Sequence, residues 1–313
     1  MRRARLGVFA ISFVVLTILV WSTIIQHPLQ LDTPTDQQSA PASARSDAEQ
    51  MTYINDIASD TEVMLAHNGL RLIQRPEWRQ DDRLIHTFDD LAKQARNGDM
   101  VASFVLGMNL RHCYFVPDDN AALAEKLLQA SEFKDNGLAL ADIQQRYDYC
   151  EGVARSDRNR FYYYLERSAA KGNVPAQEAI AELTPQLYMT VNNLSELGRD
   201  DYVEKRQSFV SQQVDFLTSA AQHGSLKALI KLSQLHYAQT VGEDGRLQAY
   251  AFNEIILALA DDTQLQNRYY GFQRRAENDF TAEELEQARK IAENWLEIIK
   301  TNGTLFLNEN SRQ

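Results

Sequence analysis

RSAAKGNVPA, residues 167–176, places an alanine three residues before a glycine and another four residues after it. The same arrangement recurs twice. Aligned on Gly98, Gly172 and Gly224, each copy has leucine at minus seven (Leu91, Leu165, Leu217) and alanine at minus three (Ala95, Ala169, Ala221). Each then has alanine at plus four (Ala102, Ala176, Ala228), an aliphatic residue at plus eight (Leu106, Ile180, Leu232) and a small residue at plus nine (Gly107, Ala181, Ser233). The leucine and alanine before the glycine are one helical turn apart, so they share a face. The glycine that follows tolerates the left-handed conformation that stops a helix. Beyond it, the alanine and the aliphatic residue are again four apart, on the inner face of a second helix. The phrase predicts a corner between two helices, with small residues at the closest approach and leucines on either side.

A weaker copy sits at Gly137 with Ala141. Glycines spaced by 34 to 45 residues with two helices per interval predict an all-α solenoid of stacked hairpins. The longer interval before Gly224 holds an extra segment, residues 185–207. No strand pattern of comparable strength is present.

The motif Ala-Ala-x-x-Gly-x-x-x-Ala followed by a Leu-small pair resembles the signature of Sel1-like repeats, relatives of the tetratricopeptide repeat. The resemblance is clearest in SAAKGNVPAQEAIAEL (168–183) and SAAQHGSLKALIKLSQLHY (219–237), and covers residues 84–300. Residues 245–260 and 280–295 are similar to the closing helices of bacterial Sel1-like proteins. The usual Leu-Gly-x-x-Tyr of the second helix survives only as Leu106-Gly107 and Tyr237, and the Gly-rich stretch between repeats is largely missing. The resemblance implies an interaction scaffold.

Arg2, Arg3 and Arg5 precede LGVFAISFVVLTILVWSTII, residues 6–25, which carries no charge. Twenty helical residues span about 30 Å, the thickness of a bilayer's hydrocarbon core. A cleaved signal is the alternative, but its apolar region is usually shorter, and the Ala-x-Ala site at Ala42 and Ala44 lies far downstream. A retained signal anchor fits better. The arginines place residues 1–5 in the cytoplasm and the rest outside a bacterial inner membrane, a periplasmic domain on a single-pass anchor. Residues 26–45, rich in Pro, Ser, Gln and Thr, read as a flexible linker. A capping-box pattern at Ser46–Glu49, with Met51, Ile54, Ile57 and Ala58 at helical spacing, opens a helical segment over 46–83. The repeat domain is assigned to 84–313.

The three N-terminal arginines aside, 29 Lys+Arg face 43 Asp+Glu, a net of −14. Nucleic-acid binding needs a basic footprint, so it is not expected. The two cysteines, Cys113 and Cys150, fall in the part assigned to an oxidising compartment and read as a disulfide, with free thiols or a metal site as alternatives. They lie near the far ends of second helices in successive hairpins.

The six histidines, His27, His67, His86, His112, His223 and His236, show no metal-binding spacing. No phosphate-binding loop, nucleophile elbow or dinucleotide fingerprint is present. The acidic pairs Asp89-Asp90, Asp118-Asp119 and Asp261-Asp262 read as caps and solvated positions. Tyr162, Tyr163 and Tyr164 point about 100° apart on a helix, so one or two pack and another faces solvent. The expected function is a tethered scaffold that holds another envelope protein, without cofactor or turnover. An envelope enzyme or polymer-processing factor with a dispersed site is the alternative.

Overall fold

A computed structural model describes residues 65–308, except 67, 133–136 and 243. The predicted span 6–25, the linker and the capping box at 46–49 lie outside the described residues. Among those described, no helix is long and apolar enough to cross a membrane. Residues 65–83, expected to be helical, contain no helix. Their only regular element is the short strand β1 (Arg71–Leu72).

The rest is all-α, as expected. The helices are α1 (Leu84–Arg96), α2 (Met100–Tyr114), α3 (Asn120–Ser131), α4 (Gly137–Cys150), the short α5 (Arg155–Arg158), α6 (Phe161–Ala170) and α7 (Val174–Ala181). They continue with α8 (Pro185–Val191), α9 (Arg199–Gln222), α10 (Leu226–Tyr237), α11 (Gly245–Leu259), α12 (Thr263–Ala276) and α13 (Ala282–Asn302), after which comes β2 (Thr304–Leu305). Along the chain α1 packs on α2, α2 on α6, α6 on α7, α7 on α9, α9 on α10 and α10 on α11. The α3–α4 hairpin stands beside this row, against α1 and α2. Gly137, the weaker copy, opens α4 instead of turning a corner.

The three glycines of the repeated phrase each sit between two helices with positive φ: +99° at Gly98, +88° at Gly172 and +75° at Gly224. Each donates its N–H to the alanine carbonyl three residues back, Ala95, Ala169 or Ala221. The next residue, Asp99, Asn173 or Ser225, donates to the carbonyl five residues back, which completes a Schellman closure. That same residue is the N-cap of the following helix. Its side chain accepts from the N–H of Ala102, Ala176 or Ala228 at 2.9, 2.9 and 3.0 Å. One residue therefore ends one helix and starts the next.

The repeat positions are buried, apart from the half-buried Leu91 and the exposed Gly98. At the small position Gly107, a Cβ would lie 2.8 Å from Cγ of Leu165, the leucine of the next copy. Two cores result, one around α1 to α6 and one around α9 to α13. They meet at α7, all eight residues of which are buried. On α13 the capping box at Thr281 and Glu284 is present, and Ala288, Ala292 and Ile299 are buried while Trp295 sits edge-on to Phe252.

Cys113 and Cys150 form a disulfide with Cα atoms 5.5 Å apart, tying the ends of α2 and α4. Beside it the buried Arg158 guanidinium donates to the carbonyls of Val153, Val116, Pro117 and Cys150.

The two ends of the described chain meet. β1 and β2 pair in parallel, and Phe306 exchanges backbone bonds with the Gly224 corner: its N–H to the Gly224 carbonyl, its carbonyl to the Leu226 N–H. Arg75 reaches across to Glu178 of α7 with two bonds, at 2.8 and 2.7 Å, and also donates to the Leu307 carbonyl. Ser225 Oγ donates to the same carboxylate at 2.5 Å.

Four substitutions test these contacts through stability. Gly98→Ala has open space for its methyl and should cost about 1–2 kcal/mol from the left-handed backbone alone. Gly224→Ala, whose methyl would run into the Thr304 carbonyl, should cost clearly more in the same denaturant titration. Arg75→Ala leaves the Glu178 carboxylate buried without its cation and should cost about 3–5 kcal/mol. The Cys113→Ser/Cys150→Ser variant should lose about 4 kcal/mol on the chain-entropy estimate, read as a lower melting temperature that reductant no longer affects.

Candidate functional site

A concavity formed by convergent polar and aromatic side chains lies at the C-terminal end of the row, between α10, α11 and α12. Its volume is about 510 Å³. The Ser225 cap starts α10 and the Asp262 side chain starts α12, accepting from the Leu265 N–H at 2.6 Å. The floor is made by Tyr250 and Asn253 of α11 and Tyr269 of α12, all buried. Ser233 Oγ donates to Asn253 Oδ1 at 2.6 Å. Asn253 Nδ2 makes no hydrogen bond among the described residues. The rim carries Tyr237 and Phe272, both exposed.

Arginines surround the opening. Arg246 binds Asp279 at 2.6 Å and lies over the Phe280 ring. Arg275 lies over the Phe272 ring, 5.2 Å from its centroid. Arg268 and Arg275 have no acidic partner within salt-bridge distance among the described residues. The lining holds no histidine or cysteine, and its single carboxylate, Asp279, is engaged by Arg246.

The two floor tyrosines are held neutral. Burial, reinforced by the charges of Glu254 and Glu277, pushes the Tyr250 hydroxyl up to about 12, and it donates to Glu277 at 3.2 Å. Burial likewise pushes Tyr269 up to about 12, against the opposing effect of Arg268. The groove thus offers neutral hydroxyls, an amide and guanidinium groups on an aromatic bed. This equips it to bind an anionic or polar chain, and it brings no acid–base pair together.

The sequence-predicted candidates are scattered elsewhere. Of the tyrosine cluster, Tyr164 is buried, Tyr162 is half-buried and Tyr163 is exposed, its ring near Arg160. The Tyr162 hydroxyl donates to Gln212 at 3.0 Å, and burial raises its pKa strongly. Asp119 and Asp262 cap helices, but Asp89 and Asp90 lie exposed within α1. His86 pairs with Asp82, and His236 stacks on Phe252. His112 lies between Trp78 and Tyr149, where burial, with Arg146 and Arg79 nearby, disfavours its charged form. Among the described residues no group of three His, Cys, Asp or Glu side chains could hold a metal.

Two features were missed by sequence reasoning. Glu178 is the one acid in VPAQEAIA, a helix otherwise built of apolar residues and Gln177, which is the signal that it is buried. Arg268, Phe272 and Arg275 fall at i, i+4 and i+7 on α12, so they share a face. No protein-family model, curated protein or solved structure matches the chain significantly.

Below pH 10 both floor tyrosines are protonated in folded and unfolded chains alike, and their stabilising contribution is whole. Between pH 10 and about 12 the unfolded chain releases these protons first, so stability falls as pH rises. The Tyr250→Phe/Tyr269→Phe variant should lose less stability than the wild type over this range, measured by denaturant unfolding at stepped pH.

Proposed function

We infer that this protein is a membrane-tethered, extracytoplasmic scaffold of the Sel1-like type, which works by holding another envelope protein. The observation that carries the reading is the groove between α10, α11 and α12. It is open, aromatic and lined with arginine, and its only acid is already engaged. Such a surface suits recognition. General acid–base or nucleophilic chemistry needs convergent titratable groups at hydrogen-bond distance, which this lining lacks.

Two further features support the assignment. The three corners are alike in conformation, closing bonds and capping, as expected of one hairpin unit repeated along a solenoid. The Cys113–Cys150 disulfide fits an oxidising compartment, where the Arg2, Arg3 and Arg5 flank would place the domain if residues 6–25 form a retained anchor. A linker over 26–45 would let the domain search for a neighbour while the anchor keeps its local concentration high.

Alkaline carbonate should fail to extract the full chain from membranes, and protease added to spheroplasts should digest the domain. Cross-linking in intact cells followed by affinity purification from detergent should recover one envelope protein in stoichiometric amount. A hydrolytic or transferase activity abolished by a single Asp, Glu or His substitution in a folded variant would overturn the scaffold reading.

A further inference from the structure

The acidic excess of the chain makes the groove unusual. Around its mouth stand Arg246, Arg268 and Arg275, and one carboxylate, Asp279, faces them. From these side chains we propose that the groove binds an extended acidic peptide segment, with two carboxylates about four residues apart and an apolar side chain midway between them. The proposal rests on the scaffold reading and names the chemistry of the partner.

Spacing carries the argument. Arg268 and Arg275 are two helical turns apart on one face of α12, roughly 10 Å along the axis. Phe272 lies between them. In an extended peptide alternate side chains share a face, so residues four apart point the same way about 13 Å apart, a span that two long arginine side chains can match. Carboxylates at that spacing meet both guanidinium groups, and a side chain between them meets the Phe272 ring. A single small anion satisfies only one of these points.

The floor supplies what a peptide backbone needs. Asn253 is more than nine-tenths buried and lines the cavity, yet its Nδ2 has no acceptor among the described residues. That amide is free to donate to a peptide carbonyl placed over the floor. Tyr237, exposed at the rim, adds a flat apolar surface. Guanidinium groups at exposed positions recognise carboxylates through charge-assisted bonds and draw them in from a distance.

The test uses the full chain in detergent micelles and the blocked, fluorescently labelled peptide Gly-Glu-Ser-Phe-Ser-Glu-Gly, with its Glu→Gln counterpart as control. Anisotropy titration should show saturable binding to the wild type. The Arg268→Glu/Arg275→Glu variant should bind at least tenfold more weakly, with melting temperature and helical content unchanged because both side chains are exposed. Asn253→Leu should weaken binding of the same peptide, with its fold checked by the same two measurements. Raising salt from about 50 to about 500 mM should also weaken it. Absence of binding at low salt, equal affinity for the Gln peptide, or full affinity in the charge-reversed variant would each overturn the groove proposal. The cross-linked envelope partner separates this from the broader reading. A partner retained by Arg268→Glu/Arg275→Glu leaves the scaffold standing and removes the groove. Peptide binding with no cross-linked partner keeps the groove and removes the scaffold.

Discussion

Everything in the row of helices depends on a corner in which one residue serves two helices. A glycine in the left-handed region turns the chain, and the Asp, Asn or Ser after it closes the spent helix and caps the new one. Only three residues separate the paired helices at each such corner. With so short a link, the angle between the helices is set by backbone hydrogen bonds instead of by side-chain packing. Alanines then stand on both sides of the bend because nothing larger fits where the helices are closest. Packing between successive hairpins uses the positions further out, as Gly107 against Leu165 shows.

Charge is distributed unequally over this frame. Most acids are on exposed helix faces and at caps, where water or backbone N–H groups stabilise them. Among the described residues Glu178 is the exception: it is enclosed in α7, where both cores meet, and is acceptable there because Arg75 and Ser225 occupy its oxygens. Removing two charges from water has a desolvation cost comparable to the pair's attraction, so its value lies in placement. It fixes the arm ahead of α1, the central helix and the last described residues in one register. The arginines of the C-terminal groove differ in kind, since Arg268 and Arg275 remain solvated and are not committed to the fold.

Much of the frame was legible in the amino-acid sequence because packing constrains residue size at fixed spacing. The leucines, alanines and glycines of the three copies were readable in that way, and the Cys113–Cys150 disulfide from the compartment the sequence assigns to the domain. The shared caps were readable too, since Asp99, Asn173 and Ser225 each follow the aligned glycine, although hydrophobic periodicity alone does not bring them out. The strand at residues 71–72 was not legible, because its partner is more than two hundred residues away and only two residues long. Nor was the groove. Exposed arginines seven apart on a helix obey no packing rule, and Asn253 becomes informative only when α10 and α11 are brought together. The weaker copy at Gly137 shows the opposite error: its spacing resembled a corner, while its glycine opens a helix.

The union of β1 with β2 also sets a route for mechanical load. A pull on the chain ahead of residue 65 reaches the domain at residues 71–75, where backbone bonds to Gly303 and Leu305 and the Arg75 guanidinium resist together. From there tension passes into the Gly224 corner and α7, in the interior of the fold, before it reaches α1. The α1–α2 corner is thereby shielded although it comes first in sequence, and the domain yields to force only after several bonds fail at once.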